Sequence, residues 1–104
     1  MLLVDDEAAI RQALERFLTR RGVTVELCAS ALEALERLRT DGAWNRIDAI
    51  VSDVKMPGMS GLEFYRVLET ERPEWIDRLV LVTGDVASPE VSHALGTVRC
   101  AVLE

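Results

Sequence analysis

Ile47-Asp48-Ala49-Ile50-Val51-Ser52-Asp53 runs directly into Val54-Lys55-Met56-Pro57-Gly58-Met59-Ser60-Gly61. The first segment holds a continuously apolar stretch, Ala49 to Val51, of the kind a parallel strand covered on both faces requires. The second is a loop by its Pro and Gly content. Upstream, Met1-Leu2-Leu3-Val4 is another short apolar run, halted at Asp5-Asp6-Glu7. Ile10, Ala13, Leu14, Phe17 and Leu18 then recur at helical spacing. They predict a helix from Glu7 or Ala8 to Gly22, with Arg20 and Arg21 beside its negative end. Val23-Thr24-Val25-Glu26-Leu27-Cys28 has the branched content and alternation of a strand. Ser30, with Glu33 three residues on, reads as a capping box for a second helix. Its expected buried stripe is Leu32, Leu35 and Leu38, ending around Asp41-Gly42. After the loop, a third helix is predicted from Leu62 to about Glu71, with Phe64, Val67 and Leu68 inward, Tyr65 at the margin and Pro73 closing it. Leu79-Val80-Leu81-Val82 is the most hydrophobic strand and ends at Thr83-Gly84-Asp85. Ser88-Pro89-Glu90 starts a short helix that runs to Leu95, and Cys100-Ala101-Val102-Leu103 makes a fifth strand.

Strict alternation of strands and helices implies right-handed crossovers and an open α/β fold, a doubly wound parallel sheet with helices on both faces. The chain has 104 residues, one domain's worth, and is 49% hydrophobic. Its 12 basic against 18 acidic residues leave a formal charge of −6. Such a surface repels phosphates and anionic lipid, so no direct nucleic-acid or membrane contact is expected. No apolar run approaches the ~20 residues needed to span a bilayer, and no signal-peptide pattern opens the chain. Cys28, Cys100 and the lone His93 have no metal-binding spacing. The two cysteines read as buried thiols in a reducing cytoplasm.

In open parallel sheets, ligands bind beyond the carboxyl ends of the strands, where the strand order reverses. Asp5, Asp6 and Glu7 follow the first apolar run, Asp53 and Lys55 the third, and Thr83, Gly84 and Asp85 the fourth. In a flavodoxin-like order, 2-1-3-4-5, the first and third strands are neighbours, which puts Asp5 and Asp6 beside Asp53. Carboxylates gathered so closely raise one another's pKa unless a cation joins them. Hard oxygen ligands in a half-open site suit Mg²⁺, which keeps several waters and binds through one or two carboxylates plus phosphate. Glu7 reads better as a helix-end acid than as a ligand.

These residues resemble the receiver domain of two-component response regulators. The likeness rests on Leu3-Val4-Asp5-Asp6-Glu7, on Ile50 to Gly61 and on Leu81-Val82-Thr83-Gly84, in order along essentially the whole chain. It implies a flavodoxin-like five-stranded sheet and a phosphoacceptor domain rather than a turnover enzyme. It further implies that Asp53 accepts a phosphoryl group from a sensor histidine kinase or phosphotransfer protein. Mg²⁺ would be held by Asp6, Asp53 and the backbone carbonyl of Lys55, with Asp5 acting mainly through water. The Thr83 hydroxyl would hydrogen-bond a phosphoryl oxygen, and Gly84 would leave room for it. Gly58 and Gly61 are expected to supply backbone angles closed to other residues, and Met56 and Met59 to pack the loop.

The pattern departs from the family at its end. The lysine usual after the fifth strand would fall beyond Glu104, Lys55 is badly placed to replace it, and the switch aromatic position is Val102. The fifth helix is missing as well. The reading therefore expects a domain over residues 1–104 that is incomplete at its C-terminus. Apolar surface should be exposed around Leu2, Val102 and Leu103, with low stability or self-association through the uncovered sheet face. The alternative function is a pseudo-receiver, an interaction module that is never phosphorylated. A phosphatase with an aspartate nucleophile usually wants an acid where Lys55 stands, and a nucleotide-binding enzyme lacks its Gly-rich loop after the first strand.

Overall fold

The computed structural model describes residues 1–84 and 89–103. Five parallel strands form one sheet in the order β2-β1-β3-β4-β5. They are β1 (Leu2–Val4), β2 (Glu26–Cys28), β3 (Ile50–Asp53), β4 (Leu79–Val82) and β5 (Ala101–Leu103). The connections are α1 (Ala8–Arg20), α2 (Ala31–Leu38), the short α3 (Ala43–Arg46), α4 (Gly61–Glu71), a 3-10 helix (Pro73–Arg78) and α5 (Pro89–Leu95). The expected alternation and strand order are both found. Strand β2 is shorter than its sequence pattern, because Val23 to Val25 lie outside the ladder. Neither α3 nor the 3-10 helix was expected. Ser88, assigned to the start of α5, lies outside the described residues, as do Asp85 and Glu104.

Strand alternation divides the core unequally. Leu2, Val4, Ile50, Ser52, Leu79 and Leu81 point to one face and are buried there. They pack with Ala34, Leu35 and Leu38 of α2, with Phe64, Tyr65 and Leu68 of α4, and with Trp75 and Ile76. The opposite face carries Leu3, which is buried, and Val51, Val80 and Val82, which are only half-buried. There α1 buries none of its own residues. Ile10, Leu14 and Phe17 are exposed, Phe17 by 50%. A cavity of about 250 Å³ opens between Ile10 and Leu14 on one side and Leu3, Val51 and Val82 on the other. The apolar exposure expected on the sheet is therefore real but differently placed. Leu103 is 58% exposed and Val102 is half-buried. Leu2, by contrast, is fully buried, because its place in the ladder turns it to the covered face.

Helix α2 rotates away from its expected orientation. Ala31, Ala34, Leu35 and Leu38 are its buried residues, and Leu32 is 60% exposed. Alanines on the inner side let the helix lie close to the sheet, which a leucine at the same place would prevent. Its N-terminus is capped as predicted in one direction, Glu33 N–H donating to the Ser30 hydroxyl at 3.2 Å. The Glu33 carboxylate reaches back to the Ala29 amide (3.1 Å) rather than to Ser30. The complete reciprocal box is at Ser60 and Glu63, opening α4.

At the amino ends of the strands, Trp44 and Trp75 meet edge to face with centroids 4.9 Å apart. The Arg78 guanidinium lies 3.2 Å from the Trp44 ring centre and donates to the carbonyls of Trp44 and Ile47. This cluster joins α3 to the 3-10 helix.

The orientation of α2 separates two leucines of equal volume. Leu35→Ala should cost about 2–4 kcal/mol in urea unfolding, as buried leucines do, and Leu32→Ala within about 0.5 kcal/mol.

Candidate metal and phosphoacceptor site

Parallel pairing of β1 with β3 aligns Val4 with Ser52, so the residues that follow, Asp5 and Asp53, leave the sheet side by side. Asp5, Asp6 and Asp53 each offer a carboxylate oxygen, and these oxygens lie within 4.8 Å of one another. Asp5 is 7% exposed, Asp53 is half-buried and Asp6 is exposed. Hydrogen bonds hold the two inner acids. Asp5 accepts the Glu7 amide at 2.9 Å, and Asp53 accepts the Lys55 amide at 3.3 Å. The Arg11 guanidinium donates to the main-chain carbonyl of Asp5 at 2.7 Å, tying α1 to this strand end. Glu7 is the N-cap residue of α1, makes no side-chain capping bond and stands outside the cluster, as expected.

Burial, followed by repulsion from Asp5 and Asp6, pushes Asp53 above the ordinary carboxylate range against the pull of the Lys55 and Val54 amides. The cluster is thus an excess of partly desolvated negative charge with oxygen donors only. That donor set fits a hard, strongly hydrated divalent cation and not a soft metal.

On the next strand, Thr83 follows Val82, which pairs with Asp53. Thr83 is 2% exposed, and its amide donates to the Leu103 carbonyl at 2.9 Å. The Val54 amide donates to the Val82 carbonyl at 3.0 Å, so the ladder continues one step past Asp53. The site residues read from sequence therefore gather at one sheet edge from three neighbouring strands, with nothing within 4 Å of a side chain added at Gly84.

The glycines of the loop act in two different ways. Gly58 has φ +75°, as expected. Gly61 does not adopt a positive φ. A Cβ there would lie 2.3 Å from the Asp53 carbonyl oxygen and 2.8 Å from the Val54 Cα. Its amide also donates to the Val54 carbonyl at 2.9 Å. Gly61 thus seats the start of α4 directly on the backbone of Asp53. Met56 is buried and packs the loop as expected, and Met59 is half-buried against the core. Cys28 is buried, which pushes its thiol up to about 11. Cys100 is only half-buried.

The profile of the response regulator receiver domain matches residues 1–99. The chain belongs to that family. Response regulator MprA of Mycobacterium ulcerans is 41% identical over 92 residues, 88% of this receiver chain and 38% of that protein. The receiver thus spans about two fifths of the length of the curated relatives it matches. A response regulator receiver protein from Pseudomonas putida superposes with TM-score 0.82 at 25% identity, covering 98% of this chain and 80% of that one. Chemotaxis protein CheY4 of Vibrio cholerae gives TM-score 0.80 at 31% identity, covering 99% of this chain and 82% of that one. The receiver is a signalling domain of two-component systems. Among its described residues, no helix is long and apolar enough to cross a membrane.

Two outcomes test the site's electrostatics and packing. The folded receiver holds the Asp53 proton more tightly than the unfolded chain does. The stability this contributes is present below the unfolded pKa and lost as pH rises through the raised value. Asp53→Asn should therefore raise the metal-free melting temperature at neutral pH, and the gain should vanish in acid. Gly61→Ala should cost about 1–3 kcal/mol by overpacking, more than Gly58→Ala at about 1 kcal/mol, both read by chemical denaturation.

Proposed function

We propose that this receiver accepts a phosphoryl group on Asp53 from a sensor histidine kinase or phosphotransfer protein and uses the modification as a conformational signal. The observation that carries the reading is the convergence of three carboxylates within 4.8 Å at the carboxyl edge of the sheet, with Thr83 on the adjoining strand. A surface phosphoacceptor needs no such crowding. A metal-assisted one does, because the carboxylates have to gather the cation, whose charge would then offset the repulsion an incoming phosphate meets.

Receivers of this family bind Mg²⁺ at an acidic pocket, and the oxygen donors here suit it. Asp6, Asp53 and the Lys55 carbonyl would hold the ion, with Asp5 acting mainly through water, and the ion's positive charge would offset that of the cluster and of the incoming phosphoryl group. The chain's own part is positioning and nucleophilic attack. An Asp53 carboxylate oxygen forms the new bond to phosphorus, and the bond from phosphorus to the donor's histidine nitrogen breaks, its electron pair leaving with that nitrogen. The Lys55 amide orients the carboxylate. The Thr83 hydroxyl donates to a phosphoryl oxygen and draws Thr83 toward Asp53. The domain is consumed as an acceptor and does not turn over as an enzyme.

Incubation with Mg²⁺ and acetyl phosphate, followed by peptide mass spectrometry, tests this. Wild type should carry one phosphoryl group on Asp53, with none in Asp53→Asn or after chelation. Thr83→Ala should still react but at least about tenfold more slowly, as expected for loss of a hydrogen bond to a charged group. No adduct on wild type would favour the unphosphorylated interaction module instead.

A further inference from the structure

Tyr65, the chain's single tyrosine, sits one turn into α4 and is fully buried. Its hydroxyl donates to the Glu69 carboxylate at 2.6 Å and accepts the Arg99 amide at 3.0 Å. Glu69 in turn lies 3.6 Å from the guanidinium groups of both Arg66 and Arg99. The neighbouring Arg66 side chain donates to the Thr97 hydroxyl at 2.9 Å, and that hydroxyl donates to the Ala94 carbonyl at 2.7 Å. Two consecutive residues of α4 thus hold the connection between α5 and β5 at Thr97 and at Arg99. The phenol is the inner member of this group, and burial makes its two hydrogen bonds count for more than those of the exposed ion pairs around it.

The other end of α4 is fixed to the phosphoacceptor. Gly61 rests on the Asp53 carbonyl so closely that no side chain fits between them. A rigid helix therefore has one end on Asp53 and, a turn later, a buried hydroxyl on the residue two places before β5. Strand β5 is the sheet's edge, paired only with β4, and its far end receives the Thr83 amide at Leu103. The far end of this edge strand is hence tied to Thr83, one step past the partner of Asp53 in the ladder, and its near end to a residue one turn along the helix that starts on Asp53.

We propose that Tyr65 is a positioning residue that latches the approach to β5 onto α4, so that a change of state at Asp53 reaches the edge strand through the phenol. The inference rests on the phosphoacceptor reading above. Its physical basis is that a helix end in van der Waals contact with the reacting strand cannot follow a local rearrangement without carrying Tyr65 with it. The Arg99 amide, having its bond to the hydroxyl, follows.

Hydrogen–deuterium exchange of the full chain, with and without Mg²⁺ and beryllofluoride, tests the latch. Wild type should change exchange at residues 53–61 and also at 97–103. Tyr65→Phe keeps the ring and loses only the hydroxyl. It should bind Mg²⁺ with unchanged affinity by calorimetry and keep the response at 53–61. Resting exchange at 97–103 should be about three- to tenfold faster, as loss of a buried hydrogen bond predicts, and the Mg²⁺–beryllofluoride response there should be lost. Glu69→Ala, at a partly exposed side chain that spares the core, should reproduce the loss in weaker form. If both variants transmit the change to 97–103 as wild type does, Tyr65 only packs. A wild-type response confined to 53–61 overturns the latch alone. No wild-type response at 53–61 removes the phosphoacceptor reading, and the latch with it.

Discussion

Crowding of like charge at the carboxyl edge of the sheet is the constraint around which this receiver is arranged. It is created by ladder geometry, which brings the Asp5–Asp6 pair beside Asp53. Val4 pairs with Ser52, so the acids that follow each strand emerge together and have no room to diverge. Hydrogen bonds from the Glu7 and Lys55 amides orient the inner carboxylates without cancelling their charge. The Arg11 guanidinium, which bonds that strand end, goes to a main-chain carbonyl. The protein thus spends folding stability to keep a charge excess where the proposed cation and phosphoryl group would be received, a common arrangement at functional sites.

Much of this was readable from sequence, because the decisive signals are short and strictly placed. Apolar runs ended by acids set the strands and their ends, and alternation with helical spacing set the parallel order. What sequence left hidden depends on partners far along the chain. Tyr65 was expected at the margin of the inner side of α4. Its hydroxyl has Glu69 one turn on and the Arg99 amide 34 residues away, and with both partners the ring goes fully inside. Leu32 and Ala31 both fit the helical period of α2, and hydrophobicity favours the leucine. The closeness of α2 to the sheet decides for the alanine. Gly61 was read as a backbone-angle residue, but its reason is contact with Asp53, which no single-residue propensity encodes. Helix α3 and the 3-10 helix are too short to show a period at all.

The uneven core follows from the same alternation. One parity of strand residues faces α2, α4 and the 3-10 helix and is sealed; the other faces only α1. Leu2 and Leu3 are adjacent in sequence and face these two environments, and both are buried because β1 lies between β2 and β3, away from the sheet's edges. The cavity beneath α1 reaches from Leu14 to Asp5 and Asp53, so the looser face of the sheet and the charged edge share a boundary.

The Trp44–Trp75–Arg78 cluster stands at the pole of the sheet opposite to this boundary. Both of the molecule's indoles are there, one of them fully enclosed. Ultraviolet emission from this chain is consequently a gauge of whether its lower pole is assembled. An optical titration that shows no change on adding a ligand reports nothing about the upper one.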